Sequence, residues 1–368
     1  ALTVHLVGTG IRPQSNTGDP DLDARAERLF GEWAKRCDAG GRLGFYALQL
    51  IAARALFESG EVILRRRPRS LSRGLPVPVQ VQVLEADLLD GDKNRELSLR
   101  LADGTTVPNG RIVQGIEFDA EDTVRGYWLL PRHPGDQWLP GGSVSSMTST
   151  FLPASDVAHV CETLRPGQAR GVPWFHAVLQ ALWDLDSYRD AERVRKRLEA
   201  CHVATVSGGD PTAQPLGVDS YNPTDAGDGE VKDVFVPGGV FNVPDGKRLE
   251  FHAPQGVAGY PEYTDAEHHG IAAGLSVPHA ILTGDLSRVN FSSSRYGGLE
   301  FNLVMKPLQE QFFVPLCCEP VWEWFADAAV ASGALPDRAE GWPVRWVLPQ
   351  VPEVDRLKDA EADQVEMR

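Results

Sequence analysis

The sequence predicts an α+β fold. In several stretches apolar residues recur at steps of three and four, while one central region alternates strictly between apolar and polar. Proline and glycine together make up about one residue in six, too many for a compact helical bundle. The chain has 368 residues, enough for two or three compact units at about 100–200 residues each.

The run from Leu2 to Val7 reads as a strand. From Asp21 to Cys37, Leu22, Ala26, Leu29, Phe30 and Trp33 set a helical period, broken by Asp38-Ala-Gly-Gly. A second helix is predicted over Leu43–Ser59, with Gly60 as its stop. Glu61–Arg67 reads as a strand. Val77–Glu85 shows the period of two of a half-buried strand. Asp103-Gly104 and Asn109-Gly110 read as turns, and Ile112–Phe118 and Val124–Leu130 as further strands. A loop over His133–Thr150, a short strand at Val157–Cys161 and a tight turn at Arg165–Pro173 follow.

Pro173 suits the first position of a helix expected over Trp174–Ala204, about 45 Å long at 1.5 Å per residue. Its apolar stripe is Phe175, Val178, Leu179, Leu182, Leu185, Tyr188, Val194, Leu198 and Cys201. Ser207–Gly239 is irregular, with strands expected at Val240–Val243 and Arg248–His252. A helix follows over Thr264–Leu275 with Thr264 as cap, then a loop through Asn290. Ser292–Ser332 reads as a helix kinked by Pro307, Pro315 and Pro320. The charged tail from Val354 to Arg368 is expected to fray.

No run of eighteen or more apolar residues offers a membrane span, and no secretory signal is visible. The chain opens on Ala1, so residues upstream are expected to be missing or removed. The five cysteines lack ligand spacing, and their odd number argues against a disulfide framework. Cys317 and Cys318 read as small buried groups of a helix. The formal net charge of −15 excludes a protein that grips nucleic acid broadly by its phosphates. It does not exclude one that surrounds DNA and lets it slide, because an acidic wall leaves no deep electrostatic trap.

A search for chemistry returns nothing above background. There is no phosphate-binding loop, no nucleophile elbow and no zinc-protease motif. Gly8-Thr-Gly10 lacks the third glycine of a dinucleotide fingerprint. His268-His269 and the pair Asp184 and Asp186 have the wrong spacing to share a helix face. The serines at 292–294 are explained as helix caps. No catalytic residue, cofactor or metal is therefore expected.

Several phrases, in order from about Val7 to Ala362, together resemble the lambda-type family of tailed-bacteriophage portal proteins. They are Cys37-Asp-Ala-Gly-Gly-Arg-Leu-Gly-Phe-Tyr46, Ser59-Gly-Glu-Val-Ile-Leu-Arg-Arg-Arg67, Val81-Gln-Val-Leu-Glu85 and Gly115-Ile-Glu-Phe-Asp119. Arg165-Pro-Gly-Gln-Ala-Arg-Gly-Val-Pro-Trp174, Ile271-Ala-Ala-Gly-Leu275, Leu282-Thr-Gly-Asp-Leu286 and Val289-Asn-Phe-Ser-Ser-Ser294 complete the set. Departures are mild: Gly44 stands for aspartate, Ser276 for glycine, and His279 and Phe291 for tyrosine.

The resemblance implies the portal-protein fold and a closed homo-oligomeric ring of about twelve subunits. The ring would conduct double-stranded DNA at one capsid vertex. It would meet the terminase large subunit, the major capsid protein and a head–tail adaptor. It would sit in the virion, with assembly in the host cytoplasm and no membrane. In these terms residues 1–172 are wing, 173–206 the first stem helix, 207–262 the clip, 263–277 the second stem helix and 278–291 the tunnel loop. Residues 292–333 are the long kinked helix and 334–368 a C-terminal wing or crown segment.

Thr283, Asp285, Arg288 and Asn290 are then candidate channel residues, with Asp285 facing DNA and Arg288 or Arg295 making an isolated phosphate contact. Arg165, Arg170, Arg193, Arg197 and Arg295 are candidate interface residues, a bridge between subunits being the stronger expectation for Arg295. The basic run Arg189–Arg197 is expected to pair with an acidic neighbouring subunit rather than DNA. The alternatives are another head–tail component such as an adaptor, which is normally far shorter, or an enzyme with unrecognised chemistry.

Overall fold

The computed structural model describes residues 2–100, 106–136, 147–200, 203–207, 248–252, 259–287 and 291–349. The chain divides into two units. One is built from Ala1–Ala177 and Ala272–Arg368, the other from Val178–Ile271. The first unit opens with α1 (Leu2–Val7), β1 (Arg12–Ser15), α2 (Pro20–Ala34) and α3 (Phe45–Ser59). β2 (Glu61–Pro68) and β3 (Val79–Glu85) follow. Next come β4 (Arg95–Arg100), β5 (Thr106–Val113), β6 (Ile116–Phe118), β7 (Val124–Leu129), β8 (Thr150–Pro153) and β9 (Val157–Cys161).

Local signals explain most of these boundaries. Asp19 caps α2 by accepting from the N–H groups of Asp21 and Leu22, and Pro20 fills the first turn. The Asp38 carboxylate accepts from the N–H groups of Gly40, Arg42 and Leu43, which closes the turn between α2 and α3. Burial opposes that charge, but the three donors hold the Asp38 carboxyl below its ordinary value. Gly60 ends α3 at φ 83°, in the left-handed region.

The expected strand at Leu2–Val7 is instead α1. Its neighbouring Leu6 and Val7 are both fully buried, and Gln309 donates to the carbonyls of His5 and Leu6. Tertiary packing overrides the local β preference here. Gln49, 1% exposed, exchanges two hydrogen bonds of 2.9 Å with the backbone of Ile11 and so fastens the chain after α1.

β3, β2 and β9 form a three-stranded antiparallel sheet with β2 central. Val62 and Leu64 point into the main core, whereas Ile63 joins a smaller core with Leu89, Ile116, Tyr127, Leu129 and Val157. β4 to β8 make a five-stranded antiparallel meander. The single strand expected over Ile112–Phe118 is a hairpin, because Gln114 (φ 48°) and Gly115 (φ 81°) both adopt positive φ between β5 and β6. Asn109-Gly110 is not a turn. It lies inside β5 at a register shift against β4, and a Cβ on Gly110 would stand 2.1 Å from the Phe118 carbonyl oxygen. Asp103-Gly104 lies outside the described residues.

The second unit holds most of α4 and α5. A short 3₁₀ turn over Trp174–Ala177 precedes α4 (Leu179–Ala200), which ends earlier than expected, because β10 (Val203–Ser207) pairs with β11 (Arg248–His252). α5 (Tyr260–Gly274) begins before Thr264. Thr264 is therefore an interior residue, not a cap, and its hydroxyl bonds back to the carbonyls of Tyr260 and Pro261. Cys201, the irregular stretch after Ser207 and the strand expected at Val240–Val243 lie outside the described residues.

The chain returns to the first unit through α6 (His279–Thr283), α7 (Phe291–Pro307), a π-helical stretch over Leu308–Cys318, α8 (Glu319–Ala331) and β12 (Val344–Val347). The prolines do not interrupt this helix. Between Pro307 and Pro320 the backbone widens, and the Glu319 N–H donates to Val314 O, an i to i−5 bond. β12 pairs with β1, an edge pairing that tolerates Pro13. The tail from Val354 lies outside the described residues.

The main core forms where α8 meets α2 and α3. Phe30 packs against Trp33, Phe45, Trp322 and Phe325 at ring-centroid distances of 5.3, 5.5, 5.3 and 5.1 Å. The buried Trp33 indole donates to Val79 O at 2.8 Å. Cys37, Cys317 and Cys318 are free and buried; burial raises the Cys37 thiol to about 12.

Gly60 and Gly171 are pressed together. A Cβ on Gly60 would stand 2.3 Å from the Val172 carbonyl carbon, and one on Gly171 would stand 2.2 Å from Gly60 O. Gly60→Ala is expected to destabilise the protein by more than about 1 kcal/mol, since positive φ and steric overlap act together. Urea denaturation should show a lower midpoint at an unchanged slope; an unchanged midpoint would refute the packing argument.

Candidate functional site

Three places carry the residues that the sequence singles out. The first is the turn over Arg165–Pro173. Gln168 organises it, accepting from the N–H groups of Leu164 and Arg165 and donating to the carbonyls of Glu162 and Arg170. The turn is tied down by Glu61, whose side chain is 3% exposed. Glu61 accepts from Arg170 Nε at 2.6 Å, from Gly171 N at 2.7 Å, and lies 2.9 Å from His159 Nε2. Arg170 also donates to the carbonyls of Gln114 and Ala86. Arg170 is thus committed within its own chain, while Arg165 stays exposed.

Burial works against both charges at this knot. The hydrogen bonds from His159, Arg170 and Gly171 nevertheless hold the Glu61 carboxyl below its ordinary value. Burial would lower His159, but its hydrogen bonds with Cys161 and Glu61 raise it to about 9. The two shifts agree that the pair is ionised near neutrality. Sequence reasoning missed Glu61 and His159. The only signal was one acid opening an apolar run, directly after a glycine stop.

The second place is the segment after α5. The loop expected over Pro278–Phe291 is partly helical, because α6 occupies His279–Thr283 and ends at Gly284 with φ 72°. Thr283 Oγ1 donates to His279 O and accepts from Asp285 N at 3.2 Å. Asp285 Oδ1 accepts from Ser287 N at 2.8 Å. Leu286 beside it is 68% exposed, so the tip offers both an acid and an apolar group. Arg288 and Asn290 lie outside the described residues. Arg295 falls within α7, its side chain outside the described set.

The third place is α4. Its basic half lines a cleft of 340 Å³ with Arg189, Arg193, Lys196, Arg197 and Tyr260. Arg189 donates to His268 Nε2 at 2.7 Å, and Arg193 pairs with Asp190 on the same helix. Tyr188 stacks on Tyr260 with centroids 5.7 Å apart. The predicted stripe divides: Val178 and Leu185 are buried, whereas Leu179, Leu182 and Val194 are exposed, as is Trp183, which the stripe does not include.

Among the described residues these places gather no nucleophile, base and oxyanion donors around one point. Nor is any described helix long and apolar enough to cross a membrane. The sequence profile of "Phage portal protein, lambda family" matches residues 1–309. The chain belongs to the lambda family of phage portal proteins. That family is structural, made of components of bacteriophage virions. A probable portal protein of Halomonas phage phiHAP-1 is 27% identical over 355 residues, 94% of this chain. This chain spans 64% of that relative's length. Among solved structures, a chain from the neck of an empty GTA particle shares the fold at a TM-score of 0.52 and 15% identity. The alignment covers 99% of this chain and 82% of that one. A chain from the virion of a native gene transfer agent particle aligns at a TM-score of 0.45 and 14% identity, over 99% of this chain and 81% of its own length.

In this portal-family chain, removing Glu61 strands a buried imidazolium and a half-buried guanidinium. Glu61→Ala is expected to cost about 3–5 kcal/mol, read as a lower urea midpoint. The raised His159 gives stability that is full below the unfolded value of 6.5 and is lost as pH rises through about 9. The midpoint should therefore fall across that window, and His159→Gln should flatten the fall. An unchanged slope in the variant would assign the pH dependence to other groups.

Proposed function

We propose that this chain is the subunit of a closed ring of about twelve copies at one capsid vertex, through which double-stranded DNA enters and leaves. The observation that carries this reading is the portal-family match over residues 1–309. The ring is a structural conduit without chemistry of its own. Its partners are a terminase large subunit during packaging, the major capsid protein around it, and a head–tail adaptor afterwards. It is assembled in the host cytoplasm and ends in the virion.

The division into parts follows the chain. Residues 1–172 serve as wing, the helix after Pro173 and that before Pro278 as stem, and residues 207–262 as clip. The segment 278–291 reaches the channel, and 292–333 forms the long helix above it. The acidity supports sliding over gripping, since every copy carries a formal −15, part of which would line a wall facing phosphates. The exposed Asp285 beside Leu286 suits such a wall, because it offers DNA repulsion and a smooth apolar contact. Arg165, Arg193, Arg197 and Arg295 bridge neighbouring copies.

Electron microscopy of the purified full chain tests the ring. A closed ring with a hole wider than a duplex of about 20 Å is expected. A stable monomer at high concentration, both alone and with capsid protein, would overturn the reading. Asp285→Lys is then expected to slow DNA packaging in assembled particles; packaging at the normal rate would remove Asp285 from the channel wall.

A further inference from the structure

Among the described residues, two helices present apolar stripes that no other described side chain covers. On α4, Leu179, Leu182 and Trp183 are 56, 37 and 72% exposed. On α7, Tyr296, Leu299 and Leu303 are 64, 56 and 75% exposed. Each stripe follows the three-and-four spacing of a single helix face. Three large apolar side chains left open together on one helix, twice in one chain, mark a surface that is covered in the working state. The α7 stripe also borders a groove of 450 Å³ lined by Ala272, Ala273, Val277, Gly297, Leu303 and Val304. Its small residues leave room for a bulky knob.

We propose that the α4 stripe of one copy docks on the α7 stripe of the next, with Trp183 seated against Leu299 and Leu303. The inference rests on the self-association read above and deepens it by naming the two faces. The charges choose this occupant and its direction. Asp186 and Asp190 lie three and seven residues beyond Trp183, both exposed, and Asp190 also pairs with Arg193 of its own helix. Lys306 lies three residues beyond Leu303 and seven beyond Leu299, also exposed and held only loosely by Glu310 at 4.0 Å, a surface pair worth little. With the helices running parallel, Trp183 between the two leucines sets Lys306 between the two aspartates. Antiparallel docking takes the aspartates away from Lys306. The two faces differ, so the contact is heterologous: each copy gives one face and receives the other, as a ring requires.

The test uses the full chain with Trp183→Cys and Leu303→Cys, singly and together, oxidised and run without reductant. Native Cys37, Cys317 and Cys318 are buried, and every chain tested carries Cys161→Ser and Cys201→Ser, which leaves a low background. A ladder of covalent oligomers is expected from the double variant alone, since the proposed docking would bring the two Cα atoms into disulfide reach, about 4.4–6.8 Å. Cross-linking by either single variant would mean a two-fold contact and overturn the proposal. Microscopy of the unoxidised double variant separates the two ideas: rings without a ladder remove this pairing and leave the ring, and the absence of any assembly from the unmutated chain removes both. Charge reversal needs no cysteine. Lys306→Glu should weaken assembly at least several-fold, and adding Asp186→Lys and Asp190→Lys should restore it. Equal assembly by all three chains would overturn the predicted register.

Discussion

The packing of Trp322 and Phe325 between Phe30, Trp33 and Phe45 is the constraint from which the rest of the fold follows. The helix that carries the first pair lies near the end of the chain and the helices that carry the others near its beginning. Neither end buries its aromatic residues alone. The main core therefore exists only when the chain has left and come back. The meander β4 to β8 and the second unit are excursions between these two ends, whereas β2, β3 and β9 add Val62, Val81 and Val160 to the core. Two buried glutamines reinforce the closure, Gln49 binding Ile11 and Gln309 binding the last carbonyls of α1. Each meets otherwise unpaired backbone groups, so each is worth more than its own contact.

Where the excursion leaves, a second constraint acts. β2 is buried on both faces, yet it opens with an ionised Glu61. A carboxylate there is tolerable only because Arg170, Gly171 and His159 all converge on it. Glu61 lies 98, 109 and 110 residues before His159, Arg170 and Gly171, so the knot fixes the Arg165–Pro173 turn on the sheet. Gly60 and Gly171 permit the approach, and Trp174 beyond them donates to Leu275 O at 3.0 Å while packing edge-on against Phe57. The last residues before the second unit are thus held by charge, backbone contact and an aromatic ring together. This gives physical content to the phrase Arg165–Trp174: it is a clamp, not a reactive loop.

How much of this was legible depends on whether a feature is local. Gly60 announces the end of α3 through its own chemistry, and α2 and α3 fall where periodicity puts them, though periodicity passes over the capping Asp19 and Pro20. The strict alternation of Val79–Glu85 yields β3 for the same reason. The failures are contextual. Leu2–Val7 becomes helical because Gln309 is waiting for its carbonyls. Asn109-Gly110 becomes a bulge because the meander turns at Gln114-Gly115 instead. The prolines of the long helix are absorbed by wide turns, foreshadowed by buried pairs at 308/309, 313/314 and 317/318 that step by five and then four. Of the site, the family phrases carried the identity, whereas the Glu61 knot was invisible because its members are scattered. Arg170 drew attention for its charge and proves to spend that charge internally.

The balance of committed and uncommitted surface bears on how such a chain works. The strongest perturbations of ionisable groups lie at the buried knot and at buried thiols, places that serve the fold. What the described residues leave open is apolar helix surface on α4 and α7. Fully burying one large apolar side chain contributes about 1.5–3 kcal/mol, and these six are already partly covered. Bringing two proteins together costs about 4–15 kcal/mol before any contact is counted. One such contact therefore holds a pair of copies only weakly, and a chain of net charge −15 repels its own kind besides. A ring changes that balance, because closure adds a last interface without a further loss of free translation. In the proposed ring, weak, heterologous and repeated contacts would in this sense be an advantage: they would let mispaired copies separate and become strong only once the circle is complete.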